Sequence, residues 1–386
     1  MDPIYLDHNA ATPMRLEVVD AMARCYAEGY ANPASQHRLG QQARRLLEDA
    51  REKIAAMVGA DLAAPHRDRL IFTSGGTEAN NLAILGIAQA AGNLPGRLVI
   101  SSGEHQSVIE PAEHLMERGW RLDTLSLTPH GVVRVDQLPD LLTDQTRLVS
   151  VILGNHETGV LQPIGELAAI CNRAGAPLHT DAIQVVGKLP VDFRRLDVAA
   201  MSLAAHKFRG PHGIGALVIR NGVPLTPLMY GGHQQSGFRP GTEPVALAVG
   251  MATALELWQH EQNAYARQLT ALRDRFEQQI LAGFPGSVVH GAAADRLPQT
   301  SNIAFPGLDG QVLLMALDLA GVACSVGSAC SSGSTELSPT LRAMGLPNDL
   351  VACSLRFSLG ATTTEADIDE AVRRILHVCN ELHSSQ

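Results

Sequence analysis

The segment VAAMSLAAHKFRGPHGIGALVIR, residues 198–220, decides the reading of the fold. It opens with one apolar run, VAAMSLA (198–204), and closes with another, ALVIR (216–220). Both have the length and composition of buried strands. Between them lie Ala205, His206 and Lys207, followed by a turn rich in Gly and Pro. A lysine leaving a core strand is unusual, because an ammonium loses its hydration there. Either its stem snorkels to the surface, or it is a Schiff-base amine with a lowered pKa.

The same pattern extends towards the N-terminus. RLIFTS (69–74), RLVIS (97–101), RLVSVIL (147–153) and PLHTD (177–181) read as strands, with amphipathic stretches such as EANNLAILGIAQAAG and GELAAICNRAG between them. This alternation predicts an α/β fold with a mainly parallel sheet. Towards the C-terminus, roughly residues 243–283 read as one long helix with a charged face, of the kind that bridges two domains. Beyond it, SVVHG, SNIAFP and SLRFSLG read as short strands and QVLLMALDLAG and EADIDEAVRRILHVCNELH as helices, giving a smaller α+β domain. The expected division is a large domain over 16–258 and a small one over 259–386 joined by residues 1–15.

In an open parallel sheet, ligands bind beyond the carboxyl ends of the strands. After RLIFTS comes GGTEAN, where Gly75, Gly76 and Thr77 open a helix and form a phosphate cradle, or else a plain turn capped by Thr77. After RLVIS comes His105, and after RLVSVIL come Asn155, His156 and Glu157, which equally suit a local polar turn. After PLHT come Asp181 and, three residues on, Gln184. A carboxylate ending a buried strand needs a partner: a protonated ring nitrogen or a backbone cap. Each bland reading is reasonable alone. Together the clusters supply an anion cradle, an acid for a ring nitrogen, an imidazole and a lysine, the parts that pyridoxal 5'-phosphate needs.

The bulk properties narrow the partners. The 386 residues carry a net charge of −9, which argues against nucleic acid or an anionic membrane as partner. No apolar run approaches the ~20 residues of a membrane span, and the N-terminus lacks the pattern of a signal peptide. Six scattered cysteines without a CxxC pair fit a cytoplasmic, reducing compartment.

The segments YLDHNAATP, NPASQH, FTSGGTEANNLAI, GEHQSV, NHETG, HTDAIQVVGK, AHKFRGPHGIGAL, GGHQQSGFRPGTE, GSACSSGS and LRFSLG follow one another over nearly the whole chain. In that order they resemble the cysteine desulfurases of the class V aminotransferase family, in particular the group serving nitrogenase and iron–sulfur cluster assembly. The resemblance implies a fold-type I homodimer with the active site at the subunit interface. It implies a Schiff base between Lys207 and the cofactor, Asp181 on the ring nitrogen, Gln184 on the ring hydroxyl, and His105 on the ring face, where it moves protons. Gly76, Thr77 and His206 then hold the phosphate, with Thr242 reaching it from the neighbouring subunit. Arg356 binds the substrate carboxylate, with Asn155 nearby. Cys330, in a loop of Gly, Ser and Ala, takes sulfur from L-cysteine as a persulfide, leaves alanine, and passes the sulfur to an acceptor protein such as an iron–sulfur scaffold.

Four positions depart from the family pattern. His156 stands where a second Asn is usual and touches the ring, Ala204 where Ser holds the phosphate, Ser236 where Arg is usual, and Ala11 where Thr is common. Other readings are a class V aminotransferase or β-lyase that dispenses with Cys330, a binding partner without turnover, and a metal hydrolase built on His179, Asp181, His206 and His212.

Overall fold

The computed structural model describes residues 2–28, 31–63, 67–90, 92, 94–327 and 337–384. Twelve strands occur in it: β1 (Ile4–Tyr5), β2 (Arg69–Thr73), β3 (Arg97–Ser101), β4 (Arg121–Leu125), β5 (Thr146–Ser150), β6 (Leu178–Asp181), β7 (Ala200–Ala204), β8 (Gly215–Ile219), β9 (Val288–Val289), β10 (Thr300–Ala304), β11 (Val322–Ala323) and β12 (Ser354–Ser358). Seven form the main sheet, in the order β2-β8-β7-β6-β5-β3-β4. All pairings among β7, β6, β5, β3 and β4 are parallel. Only β8 runs the other way, antiparallel to both β7 and β2. The carboxyl ends of β2, β3, β5, β6 and β7 therefore share one edge of the sheet.

The sheet is covered on both faces. Leu70, Phe72, Val99, Val149, Leu178, Met201, Leu203 and Val218 enter one apolar cluster, with the helices Arg38–Met57, Ile164–Ala174 and the start of Val245–Gly283. The alternate residues Ile71, Leu98, Ile100, Leu148, Leu217 and Ile219 enter a second, with the helices Gly76–Ala90 and Gln106–Glu117. This two-residue alternation is the strand period at work, and double burial is why these strands read as continuous apolar runs. Strand β4 escaped the sequence reading because RLDTL is mostly polar. It is an edge strand whose Arg121 faces out and pairs with Asp123 at 3.1 Å.

Helix Val245–Gly283 spans 39 residues. Its first part, to Trp258, packs on the main sheet. Leu269, Leu272, Phe276 and Ile280 instead enter a separate core with Ile303, Phe305, Leu313, Leu317, Leu355, Phe357, Ile368 and Ile375. That core sits under the antiparallel sheet β12-β10-β9. The N-terminal segment joins this second unit through β1, paired parallel to β11, and Asp7 bridges to Ser358. Among the described residues no helix is long and apolar enough to cross a membrane.

Candidate active site

The residues that sequence placed at strand ends converge on one cavity of about 230 Å³. Gly76, Thr77, His105, His156, Asp181, Gln184, Ala204, His206, Lys207 and Arg356 all line it. A larger depression of about 630 Å³ follows the outer edge of β2 between arginines and glutamates, and holds none of the expected site residues.

Lys207 ends a short 3₁₀ turn, Ala205–Lys207, directly after β7. Its amine donates to the carbonyls of Asn9 (2.6 Å) and Ala10 (2.8 Å). The N-terminal segment in turn straps the same turn: Thr12 donates to the His206 carbonyl through its N–H (3.1 Å) and its hydroxyl (2.7 Å). Gln184 donates to the Asn9 carbonyl at 3.0 Å. Asn9, Ala10 and Thr12 were not singled out from sequence, although YLDHNAATP contained them. Their part is played largely by backbone carbonyls, which no side-chain pattern announces.

Asp181, the last residue of β6, is buried. It accepts from Asn80 (2.7 Å) and from the N–H of Ile183 (2.9 Å). Burial pushes its carboxyl above the usual carboxylate range, and His105 and Lys207 oppose this. Asn80 also donates to Ser107 at 2.8 Å. His105 caps the helix Gln106–Glu117, its Nδ1 accepting from the N–H of Ser107 at 3.1 Å. An accepting Nδ1 leaves Nε2 to carry the ring proton. Burial holds the His105 imidazole below its ordinary pKa, while Asp181 pulls it up.

His156 meets His105 edge to face, with ring centroids 5.1 Å apart. Burial, then His105, Arg356 and Lys207, keeps it neutral. His206 stacks on His212 at 5.4 Å, and burial lowers it to about 4. Arg356 donates to the His156 carbonyl (3.1 Å) and to Asp7 (2.7 Å). Its Nε is buried and has no partner among the described residues.

Two expected residues lie elsewhere. Asn155 is buried behind the cavity, where its Oδ1 accepts from Glu157 N–H, Thr158 N–H and the Thr158 hydroxyl, and its amide donates to Gly103. That is the local polar turn, and Asn155 is not among the residues lining the cavity. Thr242 is exposed and lines a different depression with Cys25 and Tyr26. Cys330 lies outside the described residues. Just ahead of the helix Gly76–Ala90, the carboxylate of Glu78 accepts from Ser74 N–H at 2.6 Å. Both nitrogens of His179 are taken by serine hydroxyls, Ser150 and Ser202, each at 2.9 Å. That engagement removes His179 from any metal site and also ties down Ser202, so it cannot stand in for the hydroxyl missing at Ala204.

The family model for class V aminotransferases matches residues 4–371. The chain is 40% identical over 381 residues to cysteine desulfurase IscS of Dictyoglomus turgidum, covering 99% of this chain and 95% of that one. The chain belongs to the class V aminotransferase family. It is also 38% identical over 390 residues to cysteine desulfurase NifS of Azotobacter vinelandii, covering 100% and 94% of the two chains. Among solved structures, a NifS-like protein superposes with a TM-score of 0.90 at 30% identity over 98% of this chain and all of the other. The protein SspA in complex with cysteine superposes with a TM-score of 0.80 at 30% identity over 92% and 98%. The fold is that of these NifS-like members of the class V family, as the sequence reading expected.

Proposed function

We propose that this class V protein is a pyridoxal-phosphate-dependent cysteine desulfurase, which converts L-cysteine to L-alanine and hands the sulfur to an acceptor. The observation that carries the reading is the juxtaposition of the Lys207 amine and the buried Asp181 carboxyl in one cavity at the N-terminus of the helix Gly76–Ala90.

The cavity suits the cofactor. A Cβ at Gly76 would overlap the end of Ile183, so any larger residue would push that side chain aside. The helix that starts there offers N–H groups and a favourable dipole to a phosphate. Burial pushes the Asp181 carboxyl up, and a protonated ring nitrogen would relieve that cost. Gln184 and His156 both line the cavity, and Gln184 Oε1 and His156 Nδ1 are buried without a partner among the described residues. Gly76, Thr77 and His206 would hold the phosphate, Asp181 the ring nitrogen, Gln184 the ring hydroxyl, and His105 the ring face. Bound there, the cofactor supplies an aldehyde for Lys207 and a ring that stores the electron pair released at the α-carbon of an amino acid.

The chain's own groups then have distinct tasks. Arg356 binds the substrate carboxylate through its remaining N–H donors, its orientation fixed by Asp7. The Lys207 amine, once released, takes the α-proton. The His105 imidazole, neutral and with Nδ1 engaged, moves a proton at Nε2. The thiolate of Cys330 takes the substrate sulfur: an S–S bond forms, the C–S bond breaks, and the carbon fragment takes up a proton and leaves as alanine. We place the enzyme in the cytoplasm as a homodimer, with Thr242 serving the neighbouring subunit's phosphate site and an iron–sulfur scaffold among the acceptors. The five described cysteines, all unpaired, fit a reducing compartment.

Incubating the protein with L-cysteine and a thiol reductant should release alanine, and Cys330→Ser should abolish release while keeping the yellow cofactor. Alanine release by the serine variant would favour a relative that dispenses with this thiol.

A further inference from the structure

Glu157 is 1% exposed and directly follows His156, which lines the cavity. A carboxyl is costly to bury, so its partners matter. Oε1 lies 3.6 Å from Nε2 of His156. Oε2 accepts from the hydroxyl of Ser338 at 2.6 Å. A Cβ built on Gly327, whose φ is 90°, would lie 2.8 Å from that same Oε2. One oxygen therefore meets both Gly327 and Ser338. These two residues flank the stretch 328–336, which carries Cys330 and lies outside the described residues.

Each flank is also fixed on its own account. Ser325 donates its N–H to the carbonyl of Arg356 (3.1 Å) and accepts from the N–H of Arg356 (2.6 Å). Arg356 is a second cavity residue. The Ser338 hydroxyl, while donating to Glu157, accepts from Leu341 N–H at 3.1 Å and so caps the helix Pro339–Ala343. A hydroxyl has one proton to give, so this arrangement needs an acceptor at 157.

We propose that Glu157 is a positioning residue for sulfur transfer: its carboxyl joins the two ends of the Cys330 segment to each other and to the loop of His156, tethering the thiol beside the cavity. This rests on Cys330 being the thiol that takes the sulfur. Three links separate Gly327 from Cys330, and three links span at most about 11 Å. Fixing Gly327 therefore bounds where the thiol can go. Joining both ends also removes chain freedom that would otherwise be lost when the thiol meets the substrate sulfur.

The test compares Glu157→Ala, Ser338→Ala and the double variant, with Glu157→Gln retaining an oxygen acceptor. Cofactor-loaded protein is mixed with L-cysteine and quenched over time, and sulfur on Cys330 is read by peptide mass spectrometry. L-alanine, which has no sulfur to give, is titrated against the cofactor absorbance to report on the cavity itself. Each alanine variant should load Cys330 about tenfold more slowly, and Glu157→Gln should lose less, with L-alanine affinity unchanged. The double variant should be no slower than Glu157→Ala, because both changes remove the same bond. Unchanged loading in Glu157→Ala, losses that multiply in the double variant, or L-alanine affinity falling in step with loading would each overturn the proposal. If Glu157→Ala does not fold, Ser338→Ala is read by the same criteria of loading and affinity. If the unaltered protein puts no sulfur on Cys330, the desulfurase reading falls. The anchor is then judged by iodoacetamide alkylation of Cys330 in cofactor-free protein. A rate changed alike in both alanine variants, and no further in the double, supports it; equal rates throughout refute it.

Discussion

At the scale of single residues, Ala204 and Gly76 share a corner: a Cβ built on Gly76 would lie 3.4 Å from the Cβ of Ala204. Both line the cavity at the proposed phosphate position. A hydroxyl at 204 would reach a phosphate there without displacing anything polar, since Ser202 is engaged with His179. Ala204→Ser should therefore tighten cofactor binding roughly tenfold, the effect of one hydrogen bond to a charged acceptor at about 1.5 kcal/mol, measured by the rate of cofactor loss on dilution. Asn80 acts in the opposite sense. Its amide donates to Asp181 at 2.7 Å, beside the N–H of Ile183 at 2.9 Å. Asn80→Ala should raise the Asp181 pKa further and weaken cofactor retention by about 1–3 kcal/mol, read from the same dilution assay.

At the scale of elements, the site depends on a junction between β8 and the loop after β2. Gly215 opens β8 opposite Ala204. A Cβ there would sit 2.7 Å from the backbone carbon of Gly75 and 2.7 Å from the carbonyl oxygen of Leu203. Backbone cannot rotate away as a flexible side chain can, so the strand must move. Gly215→Ala should cost about 1–3 kcal/mol of stability and shift the Gly75–Gly76 loop, lowering Tm by several degrees and loosening the cofactor together. Loss of stability without loss of cofactor would show that the loop does not depend on this packing. At the outer edge of β2, Gln235 plays the part of a missing strand, accepting from Phe72 N–H (2.6 Å) and donating to Phe72 O (2.8 Å). The segment that carries it, with Gln235 and Ser236 at φ of 51° and 58°, is shaped by that edge.

At the scale of the whole molecule, buried imidazoles govern the response to acid. Burial lowers His8, His206 and His290 to about 4 and His179 to about 3, and also holds His105 and His156 below their ordinary value. Each is neutral in the fold but takes a proton in the unfolded chain as pH falls through about 6.5, so its stabilisation is lost progressively below that pH. Glu104, raised to about 8 by burial, works the other way, as do the raised carboxyls of Glu157, Asp181 and Glu243. Six imidazoles outweigh four carboxyls, so Tm should be lower at pH 5 than at pH 7 by thermal melts. An equal or higher Tm at pH 5 would contradict this balance.

Local order in the chain was enough to establish the strands that end at the cavity, the long helix, and the identity of Asp181, His105, Gln184 and Lys207 as neighbours. Each of these rests on a period or on a polar residue that follows an apolar run, and such signals survive in one dimension. Strand β4 and the reversed direction of β8 were not legible, because edge exposure and strand direction depend on what pairs alongside. The backbone carbonyls of Asn9 and Ala10 on Lys207, Asp7 on Arg356, and Lys188 beneath the 205–207 turn join residues roughly 20 to 350 positions apart. Only the closed fold decides such contacts. A carbonyl is common to every residue, and the burial that turns a histidine into a neutral base exists only once the surrounding core has formed.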